Sequence, residues 1–231
     1  MGGSSPRDGL DSAVLELWCK DIGVQSSGTK NDRIGRIINH YDGLFERVSS
    51  EDEDERKPWF DYYVEFAGRE YKFLRGQQLI EKDQDIDKRF EWATDYLFEI
   101  YLNHQPLNLP GNEQPDGALS IGSEVLLWDN KSKETPVDVK EHFSQFERYF
   151  KKSEANVAAL MVVAPSFTDS SDSDARAHKI RTGNVISLVR ADELKQVALD
   201  WSNSRMENDA FPLNYFTVAG RYDPQFLKDL I

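Results

Sequence analysis

The chain has 231 residues, 39% of them hydrophobic and 12% aromatic, enough for one domain of ordinary size plus a small module. Its 41 acidic and 28 basic residues leave a net charge of −13, the reverse of the balance usual in nucleic-acid binders. No apolar stretch approaches the ~20 residues of a membrane span, MGGSSPRDG carries no signal peptide, and the one cysteine, Cys19, excludes an internal disulfide and a cysteine-based zinc site. A reducing, cytoplasmic setting away from membranes is the expectation.

The acidic excess is segregated. Residues 51–55 are an unbroken acidic run, Asp83, Asp85 and Asp87 alternate, and Asp169, Asp172 and Asp174 lie in a serine-rich segment. Such groups can face solvent while a basic groove faces a polyanion, with weak non-specific binding and strong salt dependence as the consequence.

Two helical patterns come first. Leu10, Val14, Leu17 and Trp18 fall at helical spacing, with Asp11 or Ser12 as N-cap and an end near Gly23-Val24. After SSGTK, the residues Ile34, Ile37, Ile38 and Tyr41 make a second apolar face, with Asn31 available as its cap and Gly43 as its end. This helix–GV–SGTK–helix layout resembles the SAP motif, a helix–extended–helix module of DNA-associated proteins, whose pattern Gly23, Gly28, Lys30, Ile34 and Ile37 match. Gly28-Thr29-Lys30 would present amides and an ammonium beside a helix N-terminus, an arrangement suited to phosphate. Arg33 and Arg36 are expected on the exposed side, so Lys30, Arg33 and Arg36 are candidate DNA contacts. The alternative is a helical hairpin packed on the main domain, with these cations merely solvated. Residues 1–48 are thus read as the module, 49–57 (SSEDEDERK) as an acidic linker, and 58–231 as the main domain.

Within that domain Tyr62, Val64 and Phe66 alternate, as do Tyr71 and Phe73, with Ala67-Gly68 between them. The alternation predicts a hairpin, and a helical reading through Leu79 stays open. Residues 86–102, IDKRFEWATDYLFEIYL, form an amphipathic helix with Phe90, Ala93, Leu97, Ile100 and Tyr101 inward and Glu91 near its start. The loop 103–114 comes next, and its His104 is either surface or a proton shuttle.

The chain is organised around PDGALSIGSEVLLWDNK, residues 115–131. VLLW reads as a buried strand, with GALSIGS supplying small residues for the bend before it. On an extended strand Asp129 and Lys131 point to one side and Asn130 to the other, so Asp116, Asp129 and Lys131 converge. Carboxylates hold Mg2+ through oxygen. A lysine there can orient or deprotonate water, or offset charge growing on a phosphate, which suits metal-assisted phosphodiester hydrolysis. The bland alternative is Asp116 capping a turn beside a solvated strand end.

This stretch resembles the PD-(D/E)XK nuclease superfamily, most of all the cleavage domain of FokI-type (type IIS) restriction endonucleases. There, too, a helix with an early glutamate precedes the PDGA turn at a similar distance. The resemblance implies Mg2+, with Mn2+ substituting, bound by Asp116, Asp129 and the main-chain carbonyl of Asn130. It implies that Lys131 positions the attacking water, that Glu91 is an acidic residue at the edge of the site, and that cleavage leaves a 5′-phosphate and a 3′-hydroxyl. The implied partner is double-stranded DNA. Only a SAP-like module stands before the motif, so dimerisation on DNA or pairing with a specificity subunit is expected.

In KSKETPVDVKEHFSQFERYFKKS, Pro136 suits a first helical turn, and Val139, Phe143, Phe146 and Phe150 make its core face. This is the most basic stretch of the chain, and Lys133, Lys140, Gln145 and Arg148 are candidate DNA contacts. Gln145 and Tyr149 have the Q-x-x-x-Y spacing of RecB- and Cas4-like nucleases and share a helix face; the alternative puts Tyr149 in the core and leaves Gln145 solvated. VAALMVVAPSF is a buried strand, and 168–183 is a polar loop with His178, Lys179 and Arg181 as a second basic patch. VISLVR then runs into a helix at Asp192, and PQFLKDLI suggests a short terminal helix. This order predicts an α/β fold: a mixed central β-sheet flanked by helices, restriction-endonuclease-like, with a small helical module. The function read from it is a Mg2+-dependent DNA endonuclease. A RecB- or Cas4-like repair exonuclease and a non-catalytic DNA-binding scaffold are the alternatives.

Overall fold

The computed structural model describes residues 12–38, 40, 54–107, 109, 113–206 and 209–225. The chain divides into two units, the first ending at Asp54 and the second beginning at Glu55.

In the first unit, helix α1 (Ser12–Asp21) and helix α2 (residues 30–38) enclose Leu15, Cys19 and Ile37, with Trp18, Ile22, Val24 and Ile34 around them. The expected face is corrected here: Val14 and Leu17 are 47% and 67% exposed, and Ile38 is 51% exposed. Leu15, Trp18, Cys19 and Ile22 repeat at i, i+3, i+4 and i+7, and that stripe meets Ile34 and Ile37. Thr29, not Asn31, caps α2. Its N–H donates to Asp32 Oδ2 (2.7 Å), and the Asp32 N–H donates back to Thr29 Oγ1 (3.3 Å), a reciprocal cap. Leu10, Asp11, Tyr41 and Gly43 lie outside the described residues.

The second unit is built on a five-stranded mixed sheet in the order β1-β2-β3-β4-β5. Strand β1 (Gly117–Ile121) is antiparallel to β2 (Glu124–Asn130), while β3 (Val157–Ala164), β4 (Ile186–Arg190) and β5 (Gly220–Arg221) continue parallel to β2. GALSI is therefore strand, and the bend is only Gly122-Ser123, with Gly122 at φ +61°. Side chains alternate across the sheet. Leu126 and Trp128 face one core with Met161 and Val163, and Leu127 faces the other with Leu160 and Val162.

The first face is covered by α3 (Lys57–Asp61), α4 (Tyr63–Ala67), α5 (Tyr71–Gly76), α6 (Asp85–Tyr96) and α9 (Ala191–Ser204). The first three replace the expected hairpin. Trp59, Phe60, Tyr63, Phe66 and Ala67 are buried at helical spacing, while Val64 and Phe73 of the alternating pattern are 37% and 41% exposed. Burial against α6 outweighs the local strand pattern. Helix α6 runs into a π-helical turn, Leu97–Tyr101. The wide turn rotates the residues within and beyond it, so Phe98 is buried and Ile100, expected inside, is 43% exposed.

The other face carries α7 (Phe143–Lys152) and α8 (Ser171–Thr182). A 3₁₀ turn, Val139–His142, leads into α7 and is capped by Asp138, whose Oδ1 accepts the Lys140 N–H at 3.0 Å. Pro136 thus stands outside the helix. Helix α8 replaces the expected polar loop: Asp172 and Asp174 sit in its first turn, Lys179 and Arg181 in its last, and Gly183 (φ +82°) ends it, charges and cap that complement a helix dipole. His178 is buried against Phe143 (4.4 Å between rings) rather than part of an exposed basic patch. His104 holds the Phe211 carbonyl oxygen at 2.6 Å, which ties two segments of backbone together. Among the described residues no helix is long and apolar enough to cross a membrane. Of PQFLKDLI, expected as a short helix, residues 226–231 lie outside the described residues.

Candidate active site

The alternation of β2 decides where each group goes. Asp129 and Lys131 leave on the side of Leu127, towards α7, and Lys131 Nζ lies 2.5 Å from Asp129 Oδ2. Asp129 is 2% exposed. Asp116 stands one residue before β1, where its Oδ2 accepts the backbone N–H of Asn130 at 2.6 Å. The Asn130 side chain points the other way, as its position on the strand requires. Its Nδ2 donates to Thr94 Oγ1 (2.9 Å), and that hydroxyl donates to the Phe90 carbonyl (2.9 Å) and meets Tyr63 OH (2.9 Å). The end of β2 is thereby fastened to α6 and α4. The next two residues are fastened as well: Ser132 Oγ donates to Phe66 O (2.7 Å) and the Lys133 N–H to Ala67 O (3.0 Å).

Helix α7 closes the opposite wall. Gln145 Oε1 accepts from Lys131 Nζ (3.2 Å), Gln145 Nε2 donates to Tyr149 OH, and Tyr149 OH donates to Asp129 Oδ1 (3.1 Å). Tyr149 is therefore both a core residue, 3% exposed, and a contact of the site. Gln145 is not solvated as the bland reading had it; it is partly buried on Lys131. The i, i+4 spacing brings both to one face.

Asp116, Asp129, Lys131 and Gln145 line a cleft of about 250 Å³ together with Asp87 and Glu91 of α6 and with Lys133. Carboxylates crowd it. Burial, then the charges of Asp129 and Glu91, hold the Asp116 carboxyl well above the usual carboxylate range, against the pull of the Asn130 amide and Lys131. Glu91 is pushed up to about 6 by burial and by Asp87, Asp95 and Asp129. Burial and the Asp129 charge raise the Tyr149 hydroxyl, so it stays a donor.

Among the described residues no three His, Cys, Asp or Glu side chains gather tightly enough to hold a metal by themselves, so Glu91 is not part of a close ligand set. Two carboxylates suffice for Mg2+, which is commonly held by one or two of them and fills its octahedron with water and substrate oxygens. Asp129 Oδ2 is buried with no hydrogen bond of ordinary geometry beyond its ion pair with Lys131. Asp116 and Asp129 repel each other in a partly dry site, a strain that a divalent cation relieves. The donor set, all oxygen, fits Mg2+ or Mn2+.

The other expected contacts divide. Lys140 and Arg148 are exposed on the α7 side, and Lys30 is exposed in the first unit. Arg33 is not on an exposed face: its Nε donates to Ser26 O and its Nη1 to Ser12 Oγ, both at 2.6 Å. Arg36 Nη1 donates to the carbonyls of Gln25 (2.8 Å) and Ser27. The extended segment 24–29 lacks ladder partners, and the two guanidiniums take its carbonyls. The Thr29 amide expected to meet phosphate is occupied by the Asp32 carboxylate. Thr94, Tyr63 and Ser132 were not legible as site residues; each acts through a contact between distant segments.

No protein-family profile matches the chain, and no curated protein matches it. Among solved structures, it is similar to restriction endonuclease FokI bound to DNA (13% identity, TM-score 0.52), with 71% of this chain and 30% of that chain covered. A second structure of restriction endonuclease FokI aligns at 14% identity and a TM-score of 0.44, over 60% of this chain and 29% of that one. The chain thus spans under a third of FokI's length. The likeness to the DNA-bound structure establishes a restriction-endonuclease-like fold.

Proposed function

We propose that this chain is a Mg2+-dependent DNA endonuclease of the PD-(D/E)XK kind. The observation that carries the reading is the joining of Asp116 and Asp129, with Lys131 on Asp129, at the end of one sheet strand inside one cleft. The neighbouring structure is of an endonuclease bound to DNA, which supports DNA as the partner. Asp116, Asp129 and the Asn130 carbonyl would hold the metal, which when bound supplies a Lewis acid at the scissile phosphate and lowers the pKa of its water. Lys131 holds the attacking water in line and offsets charge developing on the phosphate. Gln145 keeps Lys131 turned into the cleft, and Tyr149 fixes the rotamer of Asp129. Glu91 borders the cleft as a proton-holding carboxyl. Lys133, Lys140, Gln145 and Arg148 face the duplex from α7 and the segment leading into it, with Lys30 contributing from a SAP-like module. Cleavage leaves a 5′-phosphate and a 3′-hydroxyl. One such site cuts one strand, so a double-strand break requires a second copy on the DNA or a partner subunit.

The Gln145–Tyr149–Asp129 contacts favour a second reading, a RecB- or Cas4-like nuclease that works from ends. Supercoiled plasmid with Mg2+ decides between them. Nicking or linearisation, abolished by EDTA, is the expected result; degradation of linear DNA only supports the end-dependent reading, and retardation without cutting supports a scaffold.

A further inference from the structure

A second hollow lies one step around α6 from the cleft. Asp87 and Glu91 line the cleft. The next residue in each case, Lys88 and Trp92, lines a recess of about 390 Å³ together with Lys82, Asp85 and Arg89. Successive residues turn by about 100° around a helix, so α6 is the wall that the two hollows share.

Aromatic rings fix the cations of this recess. Trp59 and Trp92 are stacked, 5.1 Å between centroids. Arg89 Cζ lies 4.1 Å from the Trp59 ring and 5.0 Å from Trp92, and Lys88 Nζ lies 4.5 Å from Trp92. Such contacts hold a cation in place without neutralising it. The aspartates of the same stretch are engaged elsewhere. Arg69 takes Asp83 at 2.5 Å and Asp87 at 2.8 Å, and Asp85 Oδ2 accepts the N–H groups of Glu81 and Lys82, each at 3.0 Å. Lys82, Lys88 and Arg89 face the recess with one carboxylate, Asp85, which accepts from the backbone and also feels the charges of Lys82 and Arg89, so three cations stand against one anion. In a chain of net charge −13, that is a local reversal of sign.

We propose that this recess is a strand anchor: it binds a backbone phosphodiester of the DNA strand that runs past the cleft, a few nucleotides from the phosphate held there. The proposal rests on the nuclease reading. The two hollows open about 100° apart around a helix ~10 Å across, so they lie within a few nucleotides of each other at roughly 3.4 Å per step. With Lys140 and Arg148 on the α7 wall, the anchor gives the duplex cations on both sides of an acidic cleft. Phosphate contacts of this kind fix register and carry no sequence preference.

The test uses the full chain and a short labelled duplex, with binding followed by anisotropy in EDTA across a salt series and cleavage followed in Mg2+. Lys82→Glu/Lys88→Glu, both exposed positions, should weaken low-salt binding about tenfold or more and flatten the salt slope by about 1 to 2. Its single-turnover rate at saturating DNA should fall far less than its affinity, because no side chain lining the cleft is replaced and Lys88 reaches the cleft only through its charge near Glu91. Lys82→Gln/Lys88→Gln should fall between, and Lys72→Glu, exposed on α5, should leave both readouts unchanged. A variant that folds, cuts and binds with wild-type affinity and slope overturns the anchor alone. A wild-type protein that neither binds nor cuts duplex removes the nuclease reading, and the anchor with it.

Discussion

Gly117 lies opposite Trp128 across the β1–β2 hairpin, and a methyl group on Gly117 would come within 2.0 Å of the indole Cζ2. The indole cannot yield: Trp128 is fully buried and rests on Phe98, 5.0 Å between ring centroids, in a core packed as tightly as a crystal. The glycine lets β1 lie flat on that ring, which delivers Asp116, one residue earlier, to the Asn130 amide.

Gly117→Ala should therefore cost about 2–3 kcal/mol of stability, the usual penalty of overpacking, and cleavage should fall with the displaced Asp116. Adding Trp128→Leu makes room and should return part of the loss, a coupling that denaturant melts of the two singles and the double would measure. Equal melting of Gly117→Ala and wild type would show that the ring does not press on the strand.

Thr94 is a second point of leverage far from the motif. Its hydroxyl accepts from Asn130 Nδ2 while meeting Tyr63 OH, and both Thr94 and Tyr63 are fully buried. Thr94→Val keeps the shape and strands both partners, so about 2–4 kcal/mol should be lost. Thr94→Ser, which keeps the oxygen, should lose far less. Chemical denaturation of the three proteins side by side reads the difference.

How much was legible in the sequence depends on where contacts lie along the chain. Asp129 and Asn130 end one strand and Lys131 continues its extended pairing to Val163, so a period of two places their side chains correctly. The buried strands 125–128 and 157–164 are continuous apolar runs, and their order implies the mixed sheet with helices on both faces. The failures have specific causes. In α3 to α5 the local alternation of Tyr62, Val64 and Phe66 points to a strand, yet burial against α6 selects Phe60, Tyr63 and Ala67 instead. In α8 the serines and aspartates read as loop because the helix has almost no apolar stripe; its ends, not its face, define it. The π turn at Leu97–Tyr101 shifts a periodicity that otherwise reads correctly. Thr94, 36 residues from Asn130, shows no local signal at all.

Glu91 makes a prediction about pH. Burial and neighbouring carboxylates raise it from 4.5 to about 6, so the folded protein holds that proton more tightly than the unfolded chain does. The stability it contributes is fully present below about 4.5 and is lost as pH rises through about 6. Without metal, Glu91→Gln should match wild type near pH 4 and exceed it at pH 7 by about 1 kcal/mol, after allowance for solvent screening. Urea midpoints in EDTA at the two pH values test this. A variant that is no more stable than wild type at pH 7 would refute the crowding.

The proposed chemistry turns on Lys131. Its ammonium is held from two sides, 2.5 Å from Asp129 Oδ2 and 3.2 Å from Gln145 Oε1, and its position over Phe146, 5.8 Å from the ring centroid, leaves little freedom. Lys131→Ala should keep DNA binding, since the α7 cations are untouched, and metal binding, since both carboxylates remain. Single-turnover cleavage should nonetheless fall on the order of 10²-fold, the usual loss when a charge-stabilising group leaves a transition state. Lys131→Arg should not restore it, because a planar guanidinium does not fit between Asp129 and Gln145 as a compact ammonium does. Gln145→Ala leaves the ammonium on Asp129 and only loosens it, so a loss of about threefold to tenfold is expected. That ordering separates chemistry from support: if Gln145→Ala is as damaging as Lys131→Ala, the glutamine itself touches the reacting groups. If Lys131→Ala cuts at the wild-type rate, the lysine has no part in the reaction.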